Sequence, residues 1–156
     1  MDTYRARTQL RAIVLTLLRI TVGVIMMAHG WQKLTALHET QAAFAGMGIP
    51  YPEVSAYLAV CGELLGGLGI LLGLLTPFAA LGIICVMLVA VFHVHWDNDL
   101  MAQNNGFEYP LMILTVAIYF AVRGAGPYSL DALLARRRLG WGRRPIPGQH
   151  PLQTAP

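Results

Sequence analysis

Residues 54–75 read VSAYLAVCGELLGGLGILLGLL. This stretch carries a single charge, Glu63. A helix needs about 20 predominantly apolar residues to cross the hydrocarbon of a bilayer, so the segment reads as a membrane-spanning helix with one carboxylate at depth. The flanking sequence follows the same rule. Upstream, Ala12 to Ala28 (AIVLTLLRITVGVIMMA) is broken only by Arg19 and continues as His29-Gly30-Trp31-Gln32-Lys33. Downstream lie Pro77 to His95 (PFAALGIICVMLVAVFHVH) and a shorter run, Phe107 to Val122 (FEYPLMILTVAIYFAV), with Glu108 at its start. Four such runs predict an all-α, membrane-spanning four-helix bundle.

Composition agrees. Of 156 residues, 56% are hydrophobic and 12% charged, where soluble domains carry about a quarter charged. Mean hydropathy is +0.55. The net charge of +3 is concentrated at the two ends of the chain: Arg5, Arg7 and Arg11 precede the first run, and Arg136, Arg137, Arg138, Arg143 and Arg144 follow the last. Beside spanning helices, such residues set topology and contact headgroups, so nucleic acid is not an expected partner. The basic start resembles a signal peptide, but Arg19 interrupts the apolar stretch and no A-x-A-like site follows, so the first run is expected to be retained. Loop 34–53 has Glu39 and Glu53, loop 96–106 has Asp97 and Asp99, and neither has Lys or Arg. The positive-inside rule then places both termini in the cytoplasm and the two longer loops outside.

Residues 1–11 are expected as a cytoplasmic N-terminal arm, 12–138 as the transmembrane domain, and 139–156 as a disordered tail rich in Pro, Gly and Arg. Pro77 suits the first turn of the third helix. Ser129 is positioned to N-cap a short helix, SLDALLARRR, with Asp131 in its first turn. Leu130, Leu133 and Leu134 give that helix an apolar face, which predicts an interfacial helix on the inner leaflet.

Ionisable residues inside a span cost a few kcal/mol each and usually face the bundle interior. Arg19 lies about 10 Å from the inner surface and Glu63 about 14 Å from the outer one, by helical rise. In a core about 30 Å thick, an Arg19–Glu63 ion pair is expected, either as packing alone or as part of a site. His29 and Lys33 share a face at i, i+4 spacing. With His93, His95 and Glu108 they form an expected polar layer at the outer surface. That layer suits a proton-accessible or ligand-binding cavity, or simply a wetted interface. No tight motif for a metal is present. Gly62-x-x-x-Gly66 and Gly69-x-x-x-Gly73 allow close helix contact, most simply within the molecule, and make the second helix the expected centre of the bundle. Cys61 and Cys85 are expected as free, buried thiols, because their depths differ by about 8 Å, beyond disulfide reach. Trp31 and Trp96 fit an outer aromatic belt.

The ordered set Arg19, Gly23, His29-Gly30-x-x-Lys33, Gly62-Glu63-x-x-Gly66-Gly67, Gly73, Asn105-Gly106-x-Glu108 and Gly124-x-Gly126-x-Tyr128-Ser129-x-Asp131 resembles the DoxX family. The resemblance runs from about Leu18 to Leu134. It implies a four-helix inner-membrane protein linked to quinone oxidoreduction, with polar positions at Arg19, Lys33, Glu63 and Glu108; His29 and His93 fall where members vary more. No GxGxxG follows a strand and no CxxCH occurs. Electrons would therefore have to pass through a partner subunit or a bound quinone.

Three functions follow as expectations. One is a redox-linked subunit of a membrane complex that binds quinone and relays its protons. Another is a non-enzymatic scaffold that recruits partners or anionic lipid. The third is a small carrier, which four helices accommodate only with oligomerisation, for instance as a homo-oligomer.

Overall fold

The computed structural model describes residues 2–141. Helix α1 spans Asp2–Thr35 and α2 Leu37–Gly46. Helix α3 runs over Pro52–Leu72 and α4 over Thr76–His95. Helix α5 spans Glu108–Arg123 and α6 Leu130–Trp141. No strand occurs among the described residues. Helices α1, α3 and α4 are long and apolar enough to cross a membrane. Helix α5 has 16 residues and packs into the same core.

Glycines set how the helices meet. A methyl group at Gly23 would lie 2.8 Å from Leu71, one at Gly30 2.6 Å from Leu64, and one at Gly67 2.7 Å from the Met27 nitrogen. Each step of seven along α1 thus matches seven on α3, which fixes one antiparallel register. The other side of α3 faces α4, with Gly62 against Val86 and Gly82 and Gly66 against Ala79 and Ile83. Helix α3 is therefore the centre of the bundle, as the glycine spacing predicts, because small residues let backbones approach closely. Helix α5 closes the core on α4. Met26, Ile70, Ile83, Val91, Ile113 and Phe120 are each at most 2% exposed. Leu17, Leu65, Phe78 and Val122 point outward, between 58% and 85% exposed. On a soluble protein these side chains would be a liability; on a spanning bundle they meet lipid.

Both α3 and α4 contain a π turn, at Cys61–Leu65 and Ala90–His95. One holds Glu63 and the other His93 and His95. Such turns insert an extra residue into the helical ladder and often mark functional positions.

Several expectations are corrected. Residues 2–11, expected as an arm, are helical and continuous with the first span; TYRARTQLRA has no Gly or Pro to stop the helix. Loop 34–53 contains a helix, α2. Cys61 and Cys85 are free but exposed on the outside of the bundle, because the inward positions of α3 and α4 are taken by glycines and aliphatics. The tail expected over 139–156 lies outside the described residues from 142 onward. The chain start, the α3–α4 turn and α6 gather at one end, the terminal end. Helix α2 and loop 96–107 form the opposite, loop end.

Candidate functional site

Two polar clusters stand at opposite ends of the bundle. At the terminal end, Arg19 of α1 is 4% exposed. Its Nη1 donates to the carbonyl of Ala125 (3.2 Å) and its Nη2 to that of Tyr128 (2.6 Å). Gly73 ends α3 in the left-handed region, at φ 64°. A side chain there would run into the Arg19 guanidinium and into Ser129, so this position needs glycine both for conformation and for space. Leu75 opens α4, also left-handed, at φ 47°, where a non-glycine residue is strained. Asp131 of α6 supports it. Its carboxylate accepts from the Leu75 nitrogen (2.8 Å), the Thr76 nitrogen (3.0 Å) and the Thr76 hydroxyl (2.7 Å). The Asp131 nitrogen donates to the Gly73 carbonyl at 2.8 Å. A carboxylate from a distant helix thus performs the N-capping that the helix's own first residue, a leucine, cannot. Burial pushes the Asp131 carboxyl up, but the Thr76 hydroxyl, the two backbone donors and the Arg19 charge outweigh it and hold it below the ordinary carboxylate value. Ser129 caps α6 as the sequence predicts, accepting from the Ala132 nitrogen at 3.2 Å.

At the loop end, Glu63 is 3% exposed and lies on the α3 π turn. The ammonium of Lys33 donates to both of its oxygens, at 2.9 and 2.7 Å. Lys33 itself is 27% exposed, so the pair is reachable from one side. His29, one turn before Lys33, meets Tyr109 of α5 edge-on at 5.9 Å between ring centroids, with the phenol oxygen 3.4 Å from Nε2. Two side-chain pairs, Lys33–Glu63 and His29–Tyr109, thus lie at this end, joined through the i, i+4 face of α1 that carries His29 and Lys33.

The expected Arg19–Glu63 pair does not form. Arg19 and Lys33 are 14 residues apart on α1, about 21 Å by helical rise, and it is Lys33 that reaches Glu63. Depth reckoned from each first apolar residue leaves out the register between the two helices. Helix α1 begins at Asp2 instead, and the glycine register sets Gly30 beside Leu64. The expected outer layer also divides. Glu108 accepts from the Ala102 nitrogen at 2.7 Å and His95 Nδ1 lies 2.7 Å from the Asn105 carbonyl, so both brace loop 96–107. His93 is exposed on the α4 π turn. Asp99 braces the same loop; hydrogen bonds from the Leu100 nitrogen and the Asn104 side chain hold its carboxyl below the ordinary value. No group of three potential metal ligands comes together among the described residues. Tyr109, Thr76 and the capping role of Asp131 were not anticipated from the sequence, although Asp131 stands in a motif that carries the family resemblance.

The family model described as DoxX matches residues 14–96, more than half of the chain. The chain belongs to the DoxX family. Inner membrane protein YphA of Escherichia coli (strain K12) is 32% identical over 126 residues, covering 78% of this chain and 90% of YphA. A Bacillus subtilis (strain 168) protein named "Putative oxidoreductase CatD" is 29% identical, covering 74% of this chain and 82% of its own length. The chain spans about half the length (56%) of an uncharacterised Haemophilus influenzae relative, with 29% identity over 54% of this chain. No solved structure matches significantly. In this DoxX protein, several polar positions that carry the resemblance fall into the two clusters, while Gly23, Gly30, Gly62, Gly66 and Gly67 serve the helix contacts. Arg19, Gly73, Tyr128 and Asp131 build the terminal end; Lys33 and Glu63 build the loop end.

Proposed function

We propose that this DoxX-family membrane protein is a redox-linked subunit that holds a quinone-type headgroup at the Lys33–Glu63 pair. The observation that carries the reading is a carboxylate buried in a π turn, bonded to an ammonium that one face leaves reachable, with His29 and Tyr109 beside it. Quinone reduction consumes electrons and protons. Lys33 and Tyr109 have N–H and O–H donors for a quinone carbonyl. Glu63 holds or releases a proton, and the His29–Tyr109 contact connects the cluster to the surface. The sequence carries neither a GxGxxG after a strand nor a CxxCH, and on this reading electrons enter through a partner subunit. The basic ends argue for cytoplasmic termini, an outward-facing loop end, and a fourth crossing by α5. The name of YphA supports a bacterial inner membrane.

The test is the quinone content of the gently purified protein, by solvent extraction and mass analysis, against Glu63→Gln. Near-stoichiometric quinone that is lost in the variant is the expected result. Equal quinone in both, or none in either, contradicts the reading.

A scaffold is the second reading, and the terminal cluster favours it. Arg19 and Asp131 are occupied by backbone groups of this chain, with roles in holding helices together. On that reading no quinone changes the melting temperature, since only a ligand that prefers the folded state raises it.

A further inference from the structure

Helix α1 packs on α3, and α5 packs on α4, while α1 and α5 touch each other only sparsely. Between them lies an open groove of about 350 Å³, lined by Leu10, Arg11, Val14, Leu15, Leu18 and Tyr119. The groove is in the terminal half of the bundle, where Gly126 of the α5–α6 link meets Leu15. Its walls are aliphatic save for the Tyr119 ring, and its one charge is Arg11 at the α1 entrance. Arg7 stands one turn earlier on the same helix face, and Arg123 ends α5 nearby in the last turn. Of the acidic residues, Asp2 begins α1 nine residues before Arg11, about 13.5 Å away by helical rise, and Glu63 is bonded to Lys33. Glu39, Glu53, Asp97, Asp99 and Glu108 belong to the loop end, and Asp131 is bonded to the α3–α4 turn.

We propose that this groove is a binding site for an anionic phospholipid, with an acyl chain along Val14, Leu15 and Leu18 and the phosphate on Arg11. Charge complementarity selects the occupant. A neutral acyl chain or a zwitterionic lipid fits the aliphatic wall equally well but gains less from Arg11 and Arg7. Basic pockets between spanning helices take anionic headgroups for this reason. Tyr119, 44% exposed, adds a hydroxyl donor at the edge of the apolar wall, where amphipathic rings settle at headgroup level. The inference is independent of the loop-end site, which is at the other end of the bundle.

The experiment is native mass spectrometry of the full-length protein in detergent, titrated with phosphatidylglycerol or phosphatidylcholine of the same chain length. The wild type should retain one phosphatidylglycerol at least fivefold more tightly than phosphatidylcholine, since one basic contact near an anionic headgroup contributes roughly that factor. Arg11→Gln should remove that discrimination. Val14→Trp, which fills the groove and leaves every charge in place, should lower retention of both lipids. Arg5→Gln, outside the groove, should change neither. Equal retention of the two lipids by the wild type overturns the proposal. So does an equal loss in Arg5→Gln and Arg11→Gln, which would mean diffuse attraction to a basic surface.

Discussion

The two ends of the bundle use buried charge in opposite ways. At the terminal end, Arg19 and Asp131 bond backbone groups: the carbonyls of Ala125 and Tyr128, and the nitrogens of Leu75 and Thr76. Every such bond ties one helix to a turn between two others. At the loop end, Lys33 and Glu63 bond each other, one of them partly reachable, within a helix whose ladder is interrupted. In the first arrangement the bonds to backbone groups are themselves what holds the helices, and Arg19 Nε is buried without a partner. The second can open by moving one lysine side chain. Charge at depth is therefore not itself the mark of a site; what the charge is bonded to separates a joint from a candidate for chemistry.

Substitutions can break this comparison. The largest effect is expected from Lys33→Met, which leaves the Glu63 carboxylate buried without a partner. Losing one member of a buried pair costs about 3–5 kcal/mol. The double variant Lys33→Met with Glu63→Leu should recover much of that loss in thermal unfolding, because an apolar pair replaces the stranded charge. A double variant as unstable as the single one would show that the pair, and not the stranded charge, holds the helices. Next is Gly73→Ala. It combines a left-handed residue, about 1–2 kcal/mol, with overpacking against Arg19, about 1–3 kcal/mol. An unchanged unfolding temperature would contradict the crowded terminal joint. The smallest is Asp131→Asn, about 1 kcal/mol for a weakened cap. Because the folded carboxyl of Asp131 is held low, its contribution is present above the unfolded value near 3.9 and is lost as pH falls through the folded value. Wild type and Asp131→Asn should therefore differ at pH 7 and converge as the pH drops below 4, read as unfolding temperature in detergent.

Local features were legible in the sequence. Three of the four expected spans, the Pro77 start, the Ser129 cap and the packing role of Gly62 and Gly66 each follow from residues close together in the chain. What escaped depends on register between helices. Arg19 and Lys33 are both cations on α1, and only the facing of Gly30 on Leu64 decides which one meets Glu63. The π turns have no signature in CGELL or AVFHVH. The capping of α4 by Asp131 joins residues 55 and 56 positions apart, beyond the reach of any local pattern. The helix α2 was readable, since LHETQAAFAG is rich in helix formers, but its position between two spans made it look like a loop.

On the proposed function, the loop-end cluster binds and the terminal cluster holds. The most direct measurement is a thermal-shift titration with a short-tailed quinone on the wild type, Glu63→Gln and Asp131→Asn. Quinone should raise the unfolding temperature of the wild type and of Asp131→Asn by the same increment, and should not raise that of Glu63→Gln. An undiminished shift in Glu63→Gln, or no shift in the wild type, would contradict it.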